Sequence, residues 1–155
     1  MKKAVFAGTF DPVTKGHENV IKKASELFDY VTVAICINPD KKAFYTVEER
    51  LLMLKTVCSK YQNVEVVYHQ GMLVDLMKEK EIKYNVRGVR NATDYEYENG
   101  MHYYNEKLYP EIVTIYLPCS ERLKNVSSTT ARKEIVENKD YTDMLSNEVI
   151  GIIKK

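Results

Sequence analysis

The 155 residues of this chain contain 23 Lys and Arg against 22 Asp and Glu, which leaves a formal net charge of +1. This balance argues against binding to nucleic acid or to an anionic membrane surface, and the length suits one domain spanning residues 1–155. Only a four-residue apolar run precedes Gly8, too short for a secretory or membrane segment, so we expect a cytoplasmic protein. The three cysteines have no zinc or disulfide spacing and indicate free thiols.

Short runs rich in β-branched residues alternate along the chain with stretches of helical periodicity. The predicted strands are residues 3–7, 31–37, 64–68, 84–87 and 112–117. Helices are expected to begin near positions 16, 47, 72, 94 and 127, and residues 145–153 form a short final helix. This alternation is typical of βαβ units. We therefore predict an α/β, Rossmann-like sandwich with a five-stranded, mostly parallel sheet and helices on both faces.

Two of the helices have clear local signals. One face of the first helix is apolar, with Val20, Ile21, Ala24, Leu27 and Phe28 at helical spacing. The second helix follows Thr46 and Glu49, whose spacing is that of a capping box.

The predicted parallel sheet also indicates where a functional site lies. In sheets of this kind, ligands bind beyond the carboxyl ends of the strands. We therefore expect the functional site in residues 8–17, 38–45, 88–94 and 118–129.

The segment 8–17 follows a strand and begins a helix, but it has neither the spacing of a dinucleotide fingerprint nor that of a P-loop. Gly8 would let a ligand approach the backbone closely. Gly16 and His17 would present N–H groups and an imidazole at a helix start, where an anion is stabilised. The alternative is a plain turn before a helix that begins with histidine.

Hydroxyl and guanidinium groups follow two later strands. Ser127, Ser128 and Thr129 stand at a helix start, where they either cap the helix or donate to a triphosphate. Arg87 and Arg90 flank a glycine at the end of the fourth strand. They form either a solvated turn or a bidentate phosphate site.

Two lysines follow the second strand, and Lys41 and Lys42 are either a surface pair or can reach the same crevice. Neither Lys41 nor Arg87 has an obvious carboxylate partner within its loop. We therefore expect their charges to be directed at the phosphate of an acceptor substrate. His69 and His102 lack partners at metal-ligand spacing and are interpreted as surface or structural residues.

Several motifs occur together and in a characteristic order. They are Gly-Thr-Phe-Asp-Pro-Val-Thr-x-Gly-His, Pro-x-Lys-Lys, Thr-x-Glu-Glu-Arg, Arg-Gly-Val-Arg followed by Asp-Tyr-Glu-Tyr-Glu, and Val-Ser-Ser-Thr. Over nearly the whole chain they resemble the phosphopantetheine adenylyltransferase family of the T/H-x-G-H nucleotidyltransferase superfamily. The arginine block selects this family, since cytidylyl- and nicotinate-mononucleotide adenylyltransferases share the first motif.

The resemblance implies transfer of the adenylyl group of Mg·ATP to 4′-phosphopantetheine, giving dephospho-coenzyme A and pyrophosphate. The catalytic residues it implies are Thr9, His17, Lys41 and Arg90. The ATP-binding residues it implies are Thr9, Phe10, His17, Gly88, Val89, Arg90, Glu98, Leu123, Lys124, Asn125, Val126, Ser127, Ser128 and Thr129. The acceptor-binding residues it implies are Thr9, Lys41, Leu73 and Arg87.

The resemblance further implies a homohexamer and Mg²⁺ held mainly by the phosphates of ATP, without a dedicated set of protein ligands. Two features depart from the family pattern: Asn99 and Gly100 lie where the family continues a helix with more apolar residues, and residues 121–125 are unusually charged. The alternatives are another cytidylyl- or adenylyltransferase of the superfamily and a module that senses ATP without turnover.

Overall fold

The five strands form one sheet in the order β3-β2-β1-β4-β5, and every neighbouring pair is parallel. The computed structural model describes residues 1–37 and 40–154. Its strands are β1 (Lys3–Gly8), β2 (Tyr30–Ile37), β3 (Val64–Gln70), β4 (Tyr84–Val89) and β5 (Val113–Pro118). Its helices are α1 (Lys15–Leu27), α2 (Val47–Cys58), α3 (Leu73–Glu79), α4 (Ala92–Leu108), α5 (Ser128–Val136) and α6 (Asn147–Ile153), with a 3-10 turn at Glu121–Leu123. The predicted fold class is confirmed.

Helices cover both faces of the sheet and bury separate apolar clusters. On one face, Ile21 of α1, Met53 of α2 and Val149 of α6 belong to one apolar cluster with Val33 of β2. On the other face the cluster comprises Val5, Ala7, Ala34, Leu76, Met77, Ile82 and Ile112. A parallel sheet needs this double cover because its strands are apolar on both sides.

The strand order reverses at β1, because the chain adds β2 and β3 on one side of it and β4 and β5 on the other. In open α/β sheets, a crevice opens at such a switch point beyond the carboxyl ends of the strands. Gly88 lets α1 approach β4 there, since a Cβ at this position would lie 2.7 Å from Val20 Cγ2. The glycine between the two arginines is therefore required by packing.

Side-chain caps fix the starts of the helices that border the crevice. Thr14 caps α1, Asn91 caps α4 and Ser127 caps α5. The predicted capping box of Thr46 and Glu49 is present at α2. These caps hold helix N-termini at the carboxyl edge of the sheet, where an anionic ligand is stabilised.

Candidate active site

A cavity of about 320 Å³ opens beyond the carboxyl ends of β1 and β4. It is lined by residues from the predicted segments of the first loop, the end of β4 and the start of α5, together with Lys41. The predicted site residues among them are Thr9, His17, Lys41, Arg87, Gly88, Val89, Arg90, Glu98, Leu123, Val126, Ser127, Ser128 and Thr129. Segments far apart in sequence thus converge on one space.

Four predicted residues do not line this cavity. Leu73 lines a neighbouring one, and the side chains of Lys124 and Asn125 are exposed to solvent away from it. Phe10 is 1% exposed and lies in the core, where its ring packs edge-on against His17 at 4.9 Å between centroids. It supports the imidazole from behind.

His17 is held by the helix start that it occupies. Its Nδ1 accepts a hydrogen bond from the backbone N–H of Thr14 at 3.0 Å, and its own N–H donates to Thr14 Oγ1 at 3.3 Å. This is a capping box in which histidine takes the place of the usual Glu or Gln. Because Nδ1 is the acceptor, the neutral ring carries its proton on Nε2.

The protonation state of His17 follows from its surroundings. Burial, together with the positive charges of Arg87 and Arg90, lowers the pKa of His17 from 6.5 to about 4. The imidazole is therefore neutral near pH 7, and its Nε2–H is a neutral hydrogen-bond donor. Such a donor stabilises negative charge that develops on a phosphate oxygen.

Arg87 forms a bidentate ion pair with Glu98, with Nε–Oε2 and Nη2–Oε1 distances of 2.8 and 3.0 Å. It also donates to the carbonyl oxygen of Ala7. Arg87 has no carboxylate partner within its own loop, as the sequence indicated, but it acquires one in the folded chain. The partner comes from α4, eleven residues later, because this helix folds back past the end of β4.

Arg90 also has a carboxylate partner. Its Nε and Nη2 lie 2.9 and 3.3 Å from the carboxylate oxygens of Asp94, and its Nη1 donates to Val126 O at 3.2 Å. Ser128 Oγ donates to Pro12 O at 2.8 Å. Arg90 and Ser128 thus tie together the loops on which the cavity is built.

Arg132 lines the cavity but was not among the predicted site residues. It lies one helical turn after Ser128, so the (i, i+4) spacing from the hydroxyl cluster was the available signal. Its Nη1 donates to Asp11 O at 2.7 Å, and its Nη2 lies 3.3 Å from Thr129 Oγ1. It adds a cation beside the N-terminus of α5.

Two buried charged residues shape the first loop from below. The carboxylate of Asp11, 6% exposed, accepts from the backbone N–H groups of Phe44 and Tyr45 at 2.7 and 2.8 Å. Arg50, 4% exposed, donates to the carbonyl oxygen of Thr9 at 2.9 Å. Both belong to motifs of the sequence, but no role was assigned to them there, because their contacts with Phe44, Tyr45 and Thr9 span more than 30 residues.

A second cavity of about 410 Å³ adjoins the first. Its walls come from β1, β4, α4 and the start of α3, and include the apolar side chains of Leu73 and Met101. Thr9, Arg87 and Glu98 line both cavities. The two spaces therefore meet at the Arg87–Glu98 ion pair, one rich in cations and N–H donors and the other largely apolar.

The described residues, 1–37 and 40–154, offer neither a metal site nor a membrane-spanning helix. They contain no group of three or more His, Cys, Asp or Glu side chains placed to hold a metal ion. They also include no helix that is both long enough and apolar enough to cross a membrane.

The chain is similar in sequence to known nucleotidyltransferases. The cytidylyltransferase-like family matches residues 5–134. The phosphopantetheine adenylyltransferase of Clostridium botulinum strain Hall is 41% identical over 155 residues, covering 100% of this chain and 94% of the relative. That of Streptococcus equi subsp. zooepidemicus is also 41% identical, covering 99% of this chain and 93% of the relative.

Two solved structures share the fold at 20% sequence identity. A putative nicotinate-nucleotide adenylyltransferase from Vibrio parahaemolyticus superposes with a TM-score of 0.74, covering 99% of this chain and 93% of its own. The Plasmodium falciparum nicotinic acid mononucleotide adenylyltransferase, complexed with NaAD, gives a TM-score of 0.71, covering 99% of this chain and 95% of its own.

Proposed function

The chain belongs to the phosphopantetheine adenylyltransferases of the cytidylyltransferase-like family, and we propose that it transfers the adenylyl group of ATP to 4′-phosphopantetheine. The observation that carries this proposal is the pair of adjoining cavities that share Thr9 and Arg87. One suits a nucleotide triphosphate, and the other suits the extended arm of a phosphorylated acceptor. Their junction brings the two phosphates together.

ATP occupies the first cavity in this proposal. The N-termini of α1 and α5 border it, and Lys41, Arg90 and Arg132 supply positive charge. Helix N-termini and guanidinium groups are suited to phosphate oxygens. The Nε2–H of His17 is directed at the α-phosphate, where charge develops during transfer.

The acceptor phosphate lies at the junction, beside Thr9 and Arg87, and its arm extends past Leu73 into the second cavity. An oxygen of the acceptor phosphate attacks the α-phosphorus, the bond from that phosphorus to the bridging oxygen of the β-phosphate breaks, and pyrophosphate leaves. The attacking group is already an anion, so the step needs no protein nucleophile. The protein contributes positioning and charge stabilisation.

Magnesium enters this proposal as part of the Mg·ATP substrate, where it neutralises phosphate charge. The two carboxylates that line the ATP cavity, Asp94 and Glu98, accept hydrogen bonds from Arg90 and Arg87. This donor set suits an ion that is held by phosphate oxygens and water.

We further propose that the protein is a homohexamer in the cytoplasm. Large side chains exposed on α4 support self-association, namely Tyr95, Tyr97, Met101, Tyr103, Tyr104 and Leu108. The free thiols of Cys36, Cys58 and Cys119 suit a reducing compartment. Light scattering should give six times the 18.0 kDa chain mass; a monomer would contradict the assembly.

An acceptor screen tests the reaction. With Mg·ATP, the protein should release pyrophosphate in the presence of 4′-phosphopantetheine but not with nicotinate mononucleotide or glycerol 3-phosphate. Comparable turnover with either of these acceptors would assign the chain another reaction of the superfamily. If ATP binds in calorimetry while no acceptor supports turnover, the chain is a sensor and the proposed reaction is wrong.

A further inference from the structure

Asn85 is a polar residue in an apolar wall of the second cavity. It is 3% exposed, and its Oδ1 has no hydrogen-bond partner among the described residues. Its register neighbour on β1 is Val5, which belongs to the apolar cluster of this sheet face. Its register neighbour on β5 is Thr114, whose hydroxyl is bonded to His102 Nδ1 at 2.7 Å. The protein therefore leaves this amide oxygen unsatisfied.

An unpartnered buried amide lowers the stability of a fold, and an apolar side chain of similar size would be favoured for packing alone. An unsatisfied polar side chain in the wall of a cavity indicates a ligand that completes its hydrogen bonds. Asn85 borders the space assigned above to the arm of the acceptor.

The position of Asn85 along β4 suits one part of that arm. Side chains alternate along a strand, so Asn85 and Arg87 lie on the same face, about 6.6 Å apart along β4. Arg87 lies at the junction where the acceptor phosphate is placed, and Asn85 lies one step deeper. In phosphopantetheine a short branched carbon segment separates the phosphate from the first of two amide groups.

We propose that Asn85 determines acceptor specificity by pairing with the amide of the acceptor arm nearest the phosphate. Its Oδ1 accepts from the N–H of that amide, and its Nδ2 donates to the carbonyl oxygen. An acceptor without an amide at this point leaves Asn85 unpaired and binds less tightly. This inference rests on the proposed function.

The first test replaces Asn85 by leucine, which has a similar volume and no polar atoms. Asn85→Leu should raise KM for phosphopantetheine roughly tenfold, the loss expected for one or two neutral hydrogen bonds. KM for ATP should stay within about twofold, because ATP occupies the other cavity. The Tm of the unliganded protein should rise, because a buried unsatisfied group is removed.

Asn63→Leu is the matched control. Asn63 Nδ2 donates to the carbonyl oxygens of Ser25 and Phe28 at 2.9 and 3.0 Å, far from both cavities. Its replacement should lower Tm and leave both KM values unchanged. If Asn85→Leu behaves in this way, Asn85 is a structural residue and the inference is wrong.

The second test changes the ligand. In an acceptor analogue, an ester oxygen replaces the N–H of the amide nearest the phosphate. The parent protein should bind this analogue about tenfold less tightly than phosphopantetheine. For Asn85→Leu, the Kd values of the two ligands should differ by no more than about twofold. Equal discrimination by the two proteins would overturn the inference.

These outcomes are distinct from failure of the proposed reaction. If the parent protein does not release pyrophosphate with phosphopantetheine, both the reaction and the inference fall. If the parent protein is active and Asn85→Leu keeps its acceptor KM, only the inference falls.

Discussion

His17 has a structural task in the folded chain and, in the proposed reaction, a chemical one. Its Nδ1 closes the capping box of α1 through the N–H of Thr14. That bond fixes the tautomer and leaves the Nε2–H for the ligand, while burial keeps the ring neutral. A histidine at this position of the helix is therefore both oriented and uncharged before any substrate binds.

Replacement of His17 by alanine should lower kcat by roughly 10²–10³, the usual loss for one donor to a developing oxyanion. The Kd for ATP should change much less, because the other donors remain. Steady-state rates and calorimetry measure the two quantities. His17→Gln is the matched variant, since glutamine keeps the capping box. If kcat of His17→Ala equals that of the parent protein, His17 takes no part in the mechanism.

Because Arg87 is paired with Glu98, replacing Arg87 affects the binding of both substrates. Arg87→Ala should weaken phosphopantetheine binding by roughly 10- to 150-fold, because a charge-assisted contact is lost. It also leaves the carboxylate of Glu98 unpaired at the junction of the cavities, where it repels the phosphates of ATP.

The double variant Arg87→Ala with Glu98→Gln separates the two effects. It should restore ATP affinity towards that of the parent protein, because the unpaired charge is gone, while acceptor binding stays weak. Calorimetric titration of each ligand against both variants measures this. If ATP binding collapses in both variants while acceptor binding survives, Arg87 serves ATP and its assignment to the acceptor is wrong.

At the scale of elements, two glycines differ in whether the packing around them leaves room for a side chain. Gly100 lies inside α4, and a Cβ built there meets no atom within 4 Å. At Gly88 in β4, a Cβ would lie 2.7 Å from Val20 Cγ2 of α1. The first glycine weakens a helix without a packing need, whereas the second lets α1 pack on the sheet.

Gly100→Ala should therefore raise the free energy of unfolding by about 0.5–1 kcal/mol, because alanine loses less conformational entropy in a helix. Gly88→Ala should lower it, because α1 must shift away from β4. Urea unfolding of the two variants provides the comparison. A loss of stability in Gly100→Ala would show that this position has a packing role.

At the scale of the whole molecule, the lowered pKa of His17 couples folding to pH. The folded protein binds this proton only near pH 4, whereas the unfolded chain binds it near pH 6.5. Between these values the unfolded state holds more protons, so stability rises with pH across this window. The contribution is complete above about pH 6.5 and is lost as the pH falls towards 4.

The parent protein should therefore lose stability relative to His17→Gln as the pH falls from about 6.5 to 4. The loss is at most about 3 kcal/mol, because the folded and unfolded pKa values of about 4 and 6.5 differ at 1.36 kcal/mol per pKa unit. Denaturant unfolding of both proteins across this range measures it. A stability difference that is flat with pH would contradict the buried, neutral imidazole.

The sequence determined the architecture and the place of the site. Alternating strand and helix patterns depend on local periodicity, so they predicted the order of elements and the parallel sheet. The loops at the carboxyl ends of its strands then followed from topology, and most of the predicted residues line the cavity.

Only the tertiary structure decided how side chains pair across elements. It joined Arg87 to Glu98, placed Arg50 beneath Thr9 and brought Arg132 to the cavity beyond β1 and β4. It also left Asn85 Oδ1 without a hydrogen-bond partner among the described residues. Such contacts depend on the distance and angle at which helices pack on the sheet. Local periodicity carries no record of those quantities, so the hydrogen bonds and charges of the site became visible only in the folded chain.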